Sequence, residues 1–198
     1  MRMSKIKQRG ARLPISRFTP SETYWPRQLS DRLKNSSPSQ LWAIGTMEIL
    51  AARKVGLFCS VRCPGDAILR AYDVAQKLRD DGVTVVSGFH SPVEKECLRI
   101  LLRGKQPVII CLARALSKTT RIPAEWRRAL NSNRLLLLSS FEKPRRADKE
   151  TARRRNELVA ALSDQILIVY AEPGGAVERI SELVDRWRIP QVGLNSAT

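Results

Sequence analysis

The chain is short of acids, histidine, cysteine and aromatic rings, and each shortage narrows what it can be. Against 35 Lys and Arg stand only 19 Asp and Glu, a formal charge of +16 over 198 residues. Such an imbalance repels itself unless a polyanion compensates it, and nucleic acid is the commonest one, ahead of a membrane surface or a merely solvated basic exterior. Four cysteines, Cys59, Cys63, Cys97 and Cys111, are too few and too irregular for a disulfide scaffold. They suit a reducing compartment, so the reading is cytoplasmic. The spacing of Cys59 and Cys63, with His90 and Cys97 downstream, does not define a zinc site, and no metal or cofactor is expected. His90 is the only histidine. A lone imidazole near a strand end reads as a hydrogen-bonded structural residue before it reads as a base.

Long apolar runs are missing too. The stretch 166–170 falls far short of the roughly 18 residues of a membrane-spanning helix, so no membrane span is expected. There is no G-x-G-x-x-G and no G-x-x-x-x-G-K-[ST], which removes the dinucleotide fingerprint and the P-loop. Aromatic residues make up 6% and do not interleave with the basic loops. That excludes a stacking platform of the OB-fold or RRM kind and leaves backbone and Arg contacts to carry any strand binding. Internal repeats and low-complexity tracts are absent.

What is present reads as one α/β domain, residues 19–198, behind a basic arm. Residues 1–18 carry Arg2, Lys5, Lys7, Arg9, Arg12 and Arg17 without an acid and without the apolar core of a secretory signal. We read them as flexible, with an organelle presequence as the alternative for that composition. From Val55 onward five short apolar runs, 56–60, 83–89, 107–113, 134–141 and 165–172, alternate with stretches of helical periodicity at 67–80, 92–103, 122–130, 150–162 and 177–187. Uniformly apolar strands separated by helices predict a Rossmann-like, doubly wound, mainly parallel sheet with helices on both faces. Upstream, 19–33 reads as a helical lead-in, 35–39 as a Ser/Pro turn and 41–45 as an edge strand; a last short strand is expected near 191–194.

In such sheets ligands bind beyond the carboxyl ends of the strands, where helix N-termini offer free N–H groups to anions. The first exit, Cys59-Ser60-Val61-Arg62-Cys63-Pro64-Gly65, supplies a hydroxyl, an Arg and a Gly, the ingredients of a phosphate turn. The second, Val86-Ser87-Gly88-Phe89-His90, places Ser and Gly where backbone can approach a ligand closely. The densest basic cluster, Lys143, Arg145, Arg146, Lys149, Arg153, Arg154 and Arg155, spans the fourth exit and the next helix start, where Arg forks suit phosphate oxygens. Arg114, Lys118 and Arg121 add a second basic loop, so the pattern is a track more than a pocket. Cys111, between Ile110 and Leu112, is a core cysteine.

Three segments carry a family resemblance: Tyr24-Trp25-Pro26-Arg27-Gln28-Leu29, then Val83-Thr84-Val85-Val86-Ser87-Gly88, then Arg154-Arg155-Asn156 followed by Leu162-Ser163-Asp164 and a strand. In order and spacing they resemble the DprA/Smf DNA-processing family, over about residues 24–172. The resemblance implies an extended Rossmann domain that binds single-stranded DNA and delivers it to a RecA-type recombinase without enzymatic turnover, in DNA uptake or recombination, and it allows a homodimer. It places Ser60, Ser87, Gly88, Arg154, Arg155 and Asn156 at the DNA site, with Arg62 and Lys143 nearby. The chain departs from the family where Cys59-Ser60-Val61 replaces Gly-Ser-Arg, where Pro92-Val93-Glu94 replaces Gly-Ile-Asp, and where Glu157 sets a negative charge at an expected phosphate contact. The family's winged-helix-like extension is not expected after Gly193. A rival reading comes from Pro173-Gly174-Gly175-Ala176, which resembles the turn of the cytokinin-activating phosphoribohydrolases. It makes Gly174 and Gly175 candidate nucleotide-phosphate contacts and Glu178 an imitation of a catalytic acid, in a nucleotide sensor or, with less support, a hydrolase.

Overall fold

The computed structural model describes residues 14–143 and 146–192. In chain order the elements are β1 (Ser16–Phe18), α1 (Gln28–Leu33), β2 (Leu41–Gly45), β3 (Lys54–Cys59), α2 (Gly65–Asp80), β4 (Thr84–Ser87), α3 (Pro92–Leu102), β5 (Val108–Cys111), α4 (Ala124–Asn131), β6 (Leu135–Ser139), α5 (Lys149–Leu162), β7 (Gln165–Tyr170), α6 (Ala176–Arg186) and β8 (Gln191–Val192), with short 3-10 turns at Lys34–Ser36 and Met47–Ala51. One sheet holds all eight strands in the order β1-β2-β6-β5-β4-β3-β7-β8. The six strands from β6 to β8 are parallel, while β1 and β2 run antiparallel to their neighbours.

The apolar runs explain this layering. In β6, Leu135, Leu136, Leu137 and Leu138 are all completely buried. Leu135 and Leu137 face one core with Leu57, Val85, Ala71 and Leu98. Leu136 and Leu138 face the other with Phe58, Val86, Leu158 and Val184. A strand covered on both faces has no polar side to show, so period-two alternation disappears from its sequence. The helices keep a one-sided pattern: in α2 the buried positions are Ala67, Ala71, Val74, Ala75 and Leu78, one stripe at helical spacing.

Helix starts follow the capping rules. In α3, Ser91 Oγ accepts from the Glu94 N–H at 3.2 Å, while Glu94 Oε2 accepts from the Ser91 N–H at 3.1 Å, with Pro92 inside the first turn. Asp148 and Thr151 make the same reciprocal pair ahead of α5. Each box satisfies N–H groups that the first turn leaves without helical partners.

Three expectations near the N-terminus change. Residues 41–45 form a strand but not the edge, because Ser16–Phe18 pairs outside it and Phe18 is fully buried, edge-on to Trp25 at 6.0 Å. The tail of the expected arm, including Arg17, is thus part of the sheet, and residues 1–13 lie outside the described chain. A three-residue strand inside a basic run carries no periodic signal of its own. The lead-in 19–33 is helical only from Gln28, because Pro20 and Pro26 have no N–H to donate and the intervening residues close as turns, Glu22 N–H to Thr19 C=O and Trp25 N–H to Glu22 C=O. The last strand ends, as described, at Val192; residues 193 and 194 lie outside the described chain.

Candidate functional site

The chain steps from β3 through β4 and β5 to β6, then returns by α5, which packs across β5, β4 and β3, to place β7 on the other side of β3. Strand order therefore reverses between β3 and β7, and their carboxyl ends splay; the β3–β7 register slips between Phe58 and Cys59. A crevice at that point is where doubly wound sheets bind ligands.

Buried polar groups tie the crevice walls together. Glu94 is 6% exposed and its carboxylate accepts from the N–H groups of Cys59 at 3.0 Å, His90 at 2.7 Å and Ser91 at 3.1 Å. One side chain thus locks the β3 exit, the β4 exit and the start of α3. Burial pushes its carboxyl above the ordinary range, opposed by those three N–H groups and by Arg155. Ser60 Oγ accepts from the Glu172 N–H at 2.9 Å, joining the β3 and β7 exits. Ser87 Oγ accepts from the Phe89 N–H at 3.1 Å and holds Phe89 at φ 44°. The left-handed backbone costs about 1–2 kcal/mol, which a hydrogen bond of about 1 kcal/mol largely offsets. Ser139 does the same for the Phe141 N–H at the β6 exit, also at 3.1 Å, so the Ser-x-Phe turn occurs twice.

Arg155 projects from α5 into this crevice. It is 7% exposed, donates from Nε to Asn156 Oδ1 at 2.7 Å, and lies against Gly88, where a Cβ would come within 2.1 Å of its Nη1. Only glycine lets the guanidinium settle there. Burial lowers its pKa, against the pull of Glu94 and of Cys111; an arginine stays charged regardless. Among the described residues no acid lies within ion-pair distance of it. The cavity beside it has a volume of about 210 Å³ and is lined by Ser60, His90, Glu94, Arg155, Asn156 and Gly175, among others. His90 titrates below its ordinary value because it is partly buried and faces Arg155 and Lys95. Burial pushes the Cys97 and Cys111 thiols up to about 12 and raises Cys59 as well, so all three stay protonated at neutral pH.

Of the expected site residues, the fold brings Ser60, Ser87, Gly88, Arg155, Asn156 and Gly175 to this crevice. Gly88 lies under Arg155, and the Ser87 hydroxyl is spent on the turn. Arg62 points outward with its side chain 87% exposed and pairs with Glu172 at 3.1 Å. Gly174 sits at φ 71° and donates its N–H to Glu178 at 2.7 Å, so Glu178 braces its own turn. Glu157 lies on the other side of α5, paired with Arg153, which also grips Glu150.

Lys143 and Arg154 stand apart from the crevice, on the rim beyond β5 and β6. Arg154 stacks over the Phe141 ring at 5.2 Å. A groove of about 470 Å³ holds it together with Trp42, Phe141 and Lys143. A second groove of about 490 Å³ opens at the β5 exit among Arg114, Ser117, Thr120, Arg121 and Arg146. Among the described residues none of Arg114, Lys118, Arg121, Lys143, Arg146 or Arg154 is ion-paired; Arg145 lies outside them. Trp42 and Phe141 correct the expectation that aromatic rings stay clear of the basic loops. They come from strands far apart in sequence, Trp42 pairing with Ser139 across β2 and β6. Glu94 was missed as a site residue, although Ser91-Pro92-Val93-Glu94 is a legible capping box.

Strand order, the switch-point crevice and the basic rim define a Rossmann-like α/β protein with an anion-attracting carboxyl edge. Residues 16–182 match the family model of DNA recombination-mediator protein A, and the chain belongs to that family. The match extends beyond residues 24–172, where the motifs carry the resemblance. The chain is similar to DNA processing protein A from Helicobacter pylori, at 22% identity and a TM-score of 0.73, over 91% of this chain and 80% of that one. That structure is described for its single-stranded DNA binding mode. It is also similar to DNA processing protein A from Streptococcus pneumoniae, at 21% identity and a TM-score of 0.68, covering 86% of this chain but only 60% of the other. A molybdenum cofactor binding protein from Rippkaea orientalis shares the fold at 11% identity and a TM-score of 0.51, over 72% of this chain and 76% of that one. No curated protein matches the chain.

Proposed function

We propose that the chain binds single-stranded DNA along the carboxyl edge of its sheet and acts in DNA processing during uptake or recombination. The observation that carries this reading is the row of unpaired cations on the β5–β6 rim, Arg114, Arg121, Lys143, Arg146 and Arg154, in a member of the recombination-mediator family. Elsewhere the protein neutralises its cations locally, as in Arg70–Asp66, Arg79–Asp80 and Arg99–Glu96. Leaving one edge unpaired raises the local concentration of a polyanion. The open grooves suit a flexible backbone, with Trp42 and the Arg154–Phe141 stack at hand for bases. Hand-over to a RecA-type recombinase, a homodimer and a cytoplasmic location belong to the same reading. Among the described residues no helix is long and apolar enough to cross a membrane.

The test is a titration with labelled single strands of increasing length, and with mononucleotides, at several salt concentrations. Strand affinity should rise with length, and log affinity should fall against log salt with a slope of about −0.7 per phosphate contact. Affinity indifferent to salt and length would end the proposal. A specific observation weighs against the hydrolase reading: Glu178 is held by Gly174.

A further inference from the structure

The switch-point pocket differs in kind from the rim. Its volume of about 210 Å³ corresponds to about seven waters at ~30 Å³ each, room for one phosphoryl group and not for a run of strand. Donors converge on it from three sides. The first-turn N–H groups of α6 open there behind Gly175, which offers no side-chain cap. Arg155, more than nine-tenths buried, brings a fixed charge, with no printed-distance partner for its terminal nitrogens among the described residues. Asn156 spends its oxygen on Arg155 and keeps its amide N–H groups, and Ser60 accepts from Glu172 and keeps its hydroxyl proton. The two acids that face the pocket are already engaged, Glu94 by three backbone N–H groups and Glu172 by Arg62.

We propose that this pocket takes a phosphate monoester, either the terminal phosphate of a DNA strand or the phosphate of a free nucleotide, while internal phosphodiesters lie on the rim. A monoester presents three terminal oxygens and nearly two charges to donors on three sides. A diester has two free oxygens and a chain leaving in both directions, for which an enclosed pocket has no second exit. The strand-end arm rests on the strand-binding reading; the nucleotide arm does not.

The test compares one oligonucleotide with a phosphorylated and a hydroxyl 5′ end and with a phosphorylated 3′ end, alongside a deoxynucleoside monophosphate and inorganic phosphate. Binding is read by fluorescence anisotropy and by phosphorus NMR on the unmodified full chain. A strand-end ligand is identified by about tenfold tighter binding of one phosphorylated end, equivalent to 1.4 kcal/mol, abolished by Arg155→Gln while the hydroxyl-ended strand still binds. A free-nucleotide ligand is identified by a shifted, saturable monophosphate resonance that Arg155→Gln removes. Equal binding of all ends together with no monophosphate or phosphate resonance shift overturns the proposal, and the NMR arm needs no variant that has to fold. Failure of the hydroxyl-ended strand to bind at all is the separate failure of the strand-binding reading.

Discussion

The two halves of the carboxyl edge treat charge in opposite ways. At the β3–β4–β7 exits, charged and polar groups are buried and used internally: Glu94 holds three backbone N–H groups, Arg155 lies on Gly88, and Ser60 joins two strands. At the β5–β6 exits, cations of the same chemistry stand exposed and unpaired around two open grooves. A buried charge is costly to disturb because desolvation has already occurred, whereas an exposed one contributes little to folding and is free to meet a ligand. The pocket half should therefore respond to mutation through stability, and the rim half through binding.

The sharpest way to break that contrast is Glu94→Ala. It strands three backbone N–H groups and removes the nearest balance to Arg155, and should cost about 3–5 kcal/mol in denaturant unfolding. A loss below about 1 kcal/mol would show that the exits do not depend on this carboxylate. Gly88→Ala comes next. Its Cβ would fall 2.1 Å from Arg155 Nη1, so the guanidinium must move, at about 1–3 kcal/mol for overpacking. Unchanged stability with an unshifted Arg155 in a crystal structure of the variant would refute the close fit.

On the rim the expectation inverts. The double variant Lys143→Ala, Arg154→Ala should unfold within about 0.5 kcal/mol of the parent per site. Its salt slope for strand binding should shrink by about 0.7 for each lost contact. A large stability loss with intact binding would reverse the comparison. The smallest effect is expected from His90, whose imidazole titrates below its ordinary value. A depressed pKa means that the folded state resists protonation, so its contribution is present at neutral pH and lost as pH falls from about 6.5 through the lowered value. A proton NMR titration of this single histidine gives the sign directly, and a pKa above the ordinary value would contradict the partly buried, cation-facing position.

The layers were legible in the sequence because doubly covered strands must be apolar throughout and parallel neighbours need crossover helices. The exits Ser60 and Ser87-Gly88 followed from that frame. What escaped were features made by distant segments: β1 on the sheet edge, Trp42 beside Phe141 and Lys143, and Glu94 bound to Cys59, 35 residues away. None of these leaves a local pattern. Glu157, read as an opposing charge at the phosphate contact, lies instead across the helix from the pocket and is held by Arg153.

Arg153-Arg154-Arg155 shows where the division falls. The sequence by itself determined that three fixed positive charges open a helix behind an apolar strand, because composition and periodicity are local properties. Only the tertiary structure decided their separate fates. Successive helical residues point about 100° apart, so Arg153 meets Glu150 and Glu157, Arg154 meets Phe141, and Arg155 turns inward over Gly88. One is spent on its own helix, one stands on the rim and one enters the pocket, because each direction around α5 faces a different surface of the fold.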